Sequence, residues 1–398
     1  MKLFRRALPA ALALGLIVPA SAELVTSSTV PTAQAAIRQS GATTVLPQVV
    51  QPGFRPAAAG AARLAGTVRF RPARPGRPVV IQRRIGSGAW TRVTTQRQNR
   101  AGAVTFTGRA RARGKWISYR GVAARWRGLR PVTSSAQSAA VWGIQFNDEF
   151  RGTTLGSQWA DRATSSEGRR CARVGDPRMS SVAQGTLRLG VRLDPARRSQ
   201  TCRAQHPNGS WYRVRYYLNG QVSTQHVPVD FTRGVFAARI KFPRNRGQHG
   251  SFWLQPTHPM RLPGQPKASG AEIDIVEFFG AGYPKGGLAS FLYNYGVLDR
   301  SGDPVKIGGL WPKATTMLPG TDNWWKRYHV FSLEWTSNQY IFRVDGREHF
   351  RTRRGVSGID EYLILSLLTS DWELAQAKRL GIRPGGTMHV DWTRVWQK

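Results

Sequence analysis

The stretch Gly270-Ala-Glu-Ile-Asp-Ile-Val-Glu-Phe-Phe-Gly280 carries three acids among β-branched and aromatic residues, and it reads as a strand of an inner sheet. Side chains alternate along a strand, so Glu272 and Asp274 share one face while Ile273 and Ile275 fill the other. Glu277 lies five positions after Glu272, and unbroken alternation would bury it among the isoleucines. One inserted residue around Ile275-Val276, a β-bulge, returns it to the face of the other two. The bulge is therefore an expectation of the sequence. The chain has 22 Asp and Glu in 398 residues, so three acids on one apolar strand are not a scatter of solvated surface charges. Four effective strand steps of about 3.3 Å part the Cα atoms of Glu272 and Glu277 by roughly 13 Å. For their carboxyls to meet, the strand must curve, and the face that bears them is expected to be concave.

Outward from this strand, Trp142 to Lys398 continues as strands and turns: Thr186 to Arg192, Gly234 to Phe242, Gly250 to Gln255, Ala289 to Tyr295, Tyr328 to Trp335, Tyr340 to Val344, Leu363 to Leu368 and Met388 to Val395. Long amphipathic helices are missing, and parallel α/β folds need helical crossovers, so 142–398 is read as one large β-sandwich or barrel. Upstream, 60–130 holds shorter runs, among them Gly66 to Arg71, Pro78 to Arg84 and Trp116 to Ala123, divided by turn signals such as Arg74-Pro75-Gly76. Their spacing suggests a small β-sandwich, and spacing alone links this module to immunoglobulin-like or fibronectin-like domains. Residues 131–141 read as a Ser/Ala linker and 23–59 as a flexible lead-in rich in Ser, Thr, Ala and Pro. At the start, Lys2, Arg5 and Arg6 precede an apolar run ending in Ala20-Ser21-Ala22, the pattern of a signal peptide over 1–22. The run is shorter than the roughly 20 residues needed to span a bilayer, and no membrane span is expected. The mature protein is expected to be secreted, extracellular or wall-associated. There Cys171 and Cys202 could form a disulfide, or stay as two buried thiols.

The charge is extreme. Lys and Arg number 59 against 22 Asp and Glu, a formal +37, and no acid occurs between Glu23 and Asp148. Such a field suits anionic wall polymers as partners of the basic module. Nucleic acid would suit the charge as well, but not an exported chain with a carboxylate-lined cleft. Two Cys exclude a Cys-rich metal site, the His residues lack metal-ligand spacing, and no Gly-x-Ser-x-Gly elbow or phosphate loop is present. Paired carboxyls across a cleft fit glycoside hydrolysis.

The acidic motif resembles the catalytic strand of glycoside hydrolase family 16, in its bulge-containing, laminarinase-like form. Further matches are Phe146-Asn-Asp-Glu-Phe150, Gly234-Val-Phe-Ala-Ala-Arg-Ile-Lys-Phe-Pro243, Phe252-Trp253-Leu254, His329-Val-Phe-Ser-Leu-Glu-Trp335, Val344-Asp-Gly346 and Val390-Asp-Trp-Thr-Arg-Val395. The resemblance implies a β-jelly roll, with Glu272 as nucleophile, Glu277 as acid/base and Asp274 as electrostatic helper. It makes Trp253 a cleft aromatic, with Tyr293, Trp211 and Trp372 as weaker sugar-binding candidates. It requires no cofactor, and it places Asp391 where some relatives ligate a structural Ca²⁺. Two departures bear on the sugar: Phe291-Leu-Tyr-Asn-Tyr295 stands where a His is frequent, and Phe278-Phe279 where a Trp is common. The implied activity is a secreted retaining endo-glycosidase acting on polysaccharide, β-1,3-glucan or mixed-linkage β-glucan. Alternatives are a galactan-type hydrolase or transglycosylase of the same fold and, from another class, a non-catalytic wall-binding lectin.

Overall fold

The computed structural model of the chain describes residues 37–164, 170–205, 209–258, 262–311, 314–318, 323–374 and 381–398. The expected signal peptide, 1–22, lies outside these residues. The structure is all β, and Gln39–Lys398 forms one compact unit. No helix among the described residues is long and apolar enough to cross a membrane.

The C-terminal part is a jelly-roll sandwich. Its strands run in the spatial order Pro304–Leu310, Leu288–Leu298, Ala271–Phe278, Gln248–Pro256, Glu361–Thr369, Tyr217–Ser223, Thr186–Leu193, Gly386–Gln397, Gly234–Lys241, His329–Trp335, Tyr340–Val344 and Arg347–Thr352. The path folds over where Tyr217–Ser223 meets Thr186–Leu193 along only three residue pairs. Two layers result, with alternate side chains from each meeting in a shared core. On Gly234–Lys241 the inward set is Phe236, Ala238 and Ile240; on Ala271–Phe278 it is Ile273, Ile275, Val276 and Phe278, and all are buried. The acids therefore sit on the outer face of one layer, turned away from the core.

The expected lead-in and linker are strands. Ser40–Val45 pairs antiparallel with Leu64–Arg71, and Val132–Thr133 and Gln137–Ser138 both pair with Lys115–Ala123. Small polar residues had made both segments look flexible, but their hydroxyls serve as internal partners: Thr43 Oγ1 meets Ser134 Oγ at 2.7 Å in a buried contact. The small sandwich packs Leu64, Val68, Phe70, Val79, Ile81, Phe106 and Tyr119 between its sheets. Arg77, 1% exposed, ties the ends together, donating to Ala124 O at 2.8 Å, to Gln39 Oε1 at 2.8 Å and to Arg130 O at 2.6 Å.

Residues 46–62 cross the outer face of the layer that does not carry the acids. Val49, Ala59 and Ala62 pack with Val235, Ala237, Val330, Trp392 and Trp396. Gly53 and Tyr328 exchange backbone hydrogen bonds. Arg239 donates to Gln51 O at 2.6 Å and to Arg55 O at 3.1 Å, and Trp392 Nε1 donates to Gln51 Oε1 at 2.7 Å. Asp391 is corrected here. Its carboxylate faces the Arg239 guanidinium and accepts from Ala57 N at 3.1 Å, and both side chains of the ion pair are buried. A Ca²⁺ at this carboxylate would have to displace a cation already there, so these donors do not fit a calcium site. Among the described residues, no group of three or more His, Cys, Asp or Glu is arranged to hold a metal.

Removing one partner of a buried ion pair strands the other charge, at a cost of about 3–5 kcal/mol. Asp391→Ala is expected to lower the urea-unfolding free energy of the full-length protein by that amount. The Asp391→Ala, Arg239→Met double variant is expected to recover most of it, and an Asp391→Ala protein as stable as the parent would contradict this view of the interface.

Candidate active site

The bulge lies where the motif requires it. Against Leu288–Leu298, Asp274 pairs with Phe291 and Glu277 with Ala289, so three steps on the acidic strand match two on its neighbour. On the other side Asp274 pairs with Trp253, Val276 with Phe252 and Glu277 with Ser251, which leaves Ile275 unpaired. Ile275 and Val276 both enter the core, and Glu277 emerges on the face of Glu272 and Asp274.

Directly paired residues share a face, so register assembles the site's walls. One row runs Glu272, Tyr293, Lys306, and the next runs Trp253, Asp274, Phe291. On Gln248–Pro256, Phe252 and Leu254 are fully buried in the core while His249, Ser251, Trp253 and Gln255 line the site. Gln255 Nε2 donates to Glu272 Oε2 at 2.8 Å, and Tyr295 OH donates to the same oxygen at 3.4 Å. Gln255 is itself fixed from behind, its Oε1 accepting from Arg162 Nη2 at 2.8 Å and from Tyr362 OH at 2.9 Å. At the other end Ser251 Oγ donates to Glu277 Oε1 at 3.2 Å, with His249 Nε2 at 3.7 Å. Asp274 lies between, 3% exposed, and its Oδ2 has no hydrogen-bond partner among the described residues.

Burial is the main force on all three acids. It raises Glu272, opposed by the Gln255 and Tyr295 hydrogen bonds and then by the Arg162 and Lys306 charges. It raises Asp274 well above the usual carboxylate range, and the Glu272 and Glu277 charges push the same way. Glu277 is lifted to about 7, chiefly by burial; the Glu272 charge adds to this, while Lys306, the Ser251 hydrogen bond and Arg170 oppose it. One face thus holds an acid that keeps its proton near neutrality beside another supplied with donors for its ionised form.

Of the aromatic candidates, Trp253 and Tyr293 flank the acids. Trp253 donates from Nε1 to Ser366 Oγ at 3.1 Å under the Arg162 guanidinium, and Tyr293 packs edge-on to Phe291. Trp372 stands at the Glu277 end, stacked on His249 with 5.2 Å between centroids. Trp211 is set apart. It is 56% exposed on a hairpin, with Arg203 over its ring. That hairpin is tied down by a Cys171–Cys202 disulfide. Gln255, Ser251, His249, Tyr295, Arg162 and Lys306 were not singled out in the sequence. The first three follow from alternation through Trp253 once its strand is recognised as the neighbour of the acidic one.

A bulged strand presents three acids on the outer face of a jelly roll, Asp274 buried and Glu272 and Glu277 partly buried, and the family comparison fits this arrangement. The family model described as glycosyl hydrolases family 16 matches residues 196–394, and the chain belongs to this family. It is a glycoside hydrolase. Similar solved structures include the catalytic domain of an endo-1,3-beta-glucanase (laminarinase) from Thermotoga petrophila, at 17% identity over 65% of this chain and 98% of that one, with a TM-score of 0.47. Another is an endo-beta-1,3-glucanase from Pyrococcus furiosus, at 21% identity over 64% and 94%, with a TM-score of 0.49. No curated protein sequence matches the chain.

If Glu277 serves as a general acid it must be protonated, and kcat/KM is then expected to fall as pH rises through about 7. Ser251→Ala removes a hydrogen bond that favours the ionised form and leaves the proton held more tightly. Its descending limb should move to higher pH by about half a unit, as read from initial rates on a soluble substrate across pH. A limb that stays in place or moves down would count against Glu277 as the acid.

Proposed function

We propose that the protein is a secreted retaining endo-β-glucanase that cuts β-1,3 or mixed-linkage glucan by double displacement. The observation that carries this reading is the bulge at Ile275-Val276, which sets Glu272 and Glu277 on one face with Asp274 between them. In the first step a Glu272 oxygen attacks the anomeric carbon, the bond to the departing sugar breaks, and the Glu277 proton passes to the leaving oxygen. A glycosyl ester on Glu272 results. Glu277, now ionised, takes a proton from a water whose oxygen attacks the same carbon and frees Glu272. Two inversions give net retention, which requires carboxyls about 5–5.5 Å apart. The Gln255 and Tyr295 hydrogen bonds stabilise Glu272 as nucleophile and again as leaving group. Asp274 lies between the two glutamates, raised well above the usual carboxylate range by burial and by the Glu272 and Glu277 charges. Trp253 and Tyr293 offer apolar ring faces to the C–H face of a pyranose. Export rests on the basic and apolar start ending in Ala20-Ser21-Ala22, and the Cys171–Cys202 disulfide suits an oxidising compartment.

Product analysis on a panel of β-glucans and galactans tests the substrate, with β-glucan fragments expected. Galactan fragments alone would move the assignment to the galactan-type reading. Early-time NMR should show the substrate's own anomer first; prompt appearance of the opposite anomer would exclude double displacement. Glu272→Gln keeps shape and removes the nucleophile, so activity should fall at least about a thousandfold with folding intact. Glu277→Ala should be partly rescued by azide, which attacks the glycosyl ester without a base. Ordinary residual turnover with no rescue would remove Glu277 from the acid/base role.

A further inference from the structure

Residues 39–141 contain eighteen Arg and one Lys, and no Asp or Glu. Among the described residues none of these nineteen cations takes part in an ion pair, although pairs are frequent in the rest of the chain. Where their guanidiniums donate hydrogen bonds, the acceptors are neutral oxygens, as for Arg97 on Gly76 O at 3.1 Å. Like charges held this densely repel one another, and the module lacks any counter-charge of its own.

On one sheet the charges are organised. Gln82 is paired with Arg120 on one side and Arg92 on the other, so these three form a row across three strands. Ile81 and Val79 point into the core, so Gln82 and Arg84 point outward. Arg120 is fixed by a 2.8 Å hydrogen bond from Nε to Gln82 Oε1. Trp90 lies against two cations of this face, with the Arg84 guanidinium 4.8 Å and the Arg120 guanidinium 4.2 Å from its ring. Packing on the indole positions both cations, which lowers the ordering cost of meeting a ligand.

We infer that the outward face carrying Arg84, Trp90, Arg92 and Arg120 binds an acidic polysaccharide, a sugar polymer bearing regularly spaced anionic groups. Charge complementarity supplies the attraction, and fixed guanidiniums suit the two-oxygen edge of a carboxylate or sulfate. Single-stranded nucleic acid is the poorer fit. Its sequence-tolerant binding uses open aromatic faces for base stacking, and the indoles of this sheet, Trp90 and Trp116, are each already engaged by guanidiniums. The surface belongs to the N-terminal sandwich and uses none of the residues that line the acids, so the inference stands or falls separately from the substrate of the cleft.

The test compares binding of the full-length protein to polygalacturonate, to neutral laminarin and to DNA of matched length, at about 50 mM salt and at higher salt where exposed charges are screened. The informative variant is Arg84→Gln, Arg120→Gln. The control, Arg300→Gln, Arg353→Gln, removes the same charge from exposed positions elsewhere. The first variant should weaken polygalacturonate binding about tenfold, roughly 1.4 kcal/mol, with its thermal midpoint and its activity on neutral oligosaccharide unchanged, and the control should change binding less than twofold. Equal losses in both variants would show a response to net charge alone and overturn the assigned surface. DNA binding as tight as polygalacturonate would replace the acidic polysaccharide with nucleic acid. No binding to polygalacturonate at low salt would overturn the inference outright.

Discussion

One extra residue in one strand is the constraint on which the site depends. Without it, Glu277 would point into a core that already holds Ile273, Phe278 and Phe252, and it would lie there as an unpaired acid. With it, Ile275 and Val276 both turn inward and the next residue is free to face the cleft. The cost is a break in the ladder, tolerable because the neighbouring strands keep their register on either side. The same insertion separates the environments of the two glutamates. Glu272 lies opposite Tyr293 and receives Gln255, whereas Glu277 falls opposite Ser251 and within reach of His249.

The electrostatics follow from burial more than from proximity. For Glu277, removal from water is the larger cause of the rise, and the Glu272 charge adds to it. Lys306 offsets part of this for all three acids. It sits two strands away from the motif, with its ammonium 3.5 Å from the Phe291 ring centroid. The segment around Phe291 is where the sequence departs from the family pattern of a His, and an aromatic pair capped by a lysine gives that wall a different character.

Much of this was legible in the sequence because strands with clean alternation announce both their existence and their faces. Tyr340–Val344 has the bounds read from it, and Pro78–Ile85 and Lys115–Ala123 differ by a residue at one end. The three acids stood out because acids are scarce in this chain. Ser40–Val45 was not legible: a Ser, Gly, Ala and Thr strand has little pattern, and its pairing with Leu64–Arg71 supplies what composition does not. Arg162 was hidden for another reason. It lies outside any strand and meets Gln255 across 93 residues, so no local pattern marks it. Asp391 looked like a metal ligand because its strand position matched. Its true partner, Arg239, is 152 residues away and depends on how two strands are laid side by side.

The strap of residues 46–62 also sets an order of events during folding. Ala57 meets Asp391 across 334 residues, and Gln51 meets Trp392 across 341. These contacts cannot form until almost the entire chain has been delivered. The small sandwich, closed by contacts among its own strands, can assemble early, but its strap must wait for the last strand, Gly386–Gln397. That strand completes the outer layer beside Gly234–Lys241 and Thr186–Leu193 and receives the strap on its other face. Partly delivered chains therefore leave Trp392's future neighbours Val235, Ala237 and Val330 uncovered, a period in which association with other chains competes with folding. The N-terminal segment acts as a late clasp, closing only over a finished domain.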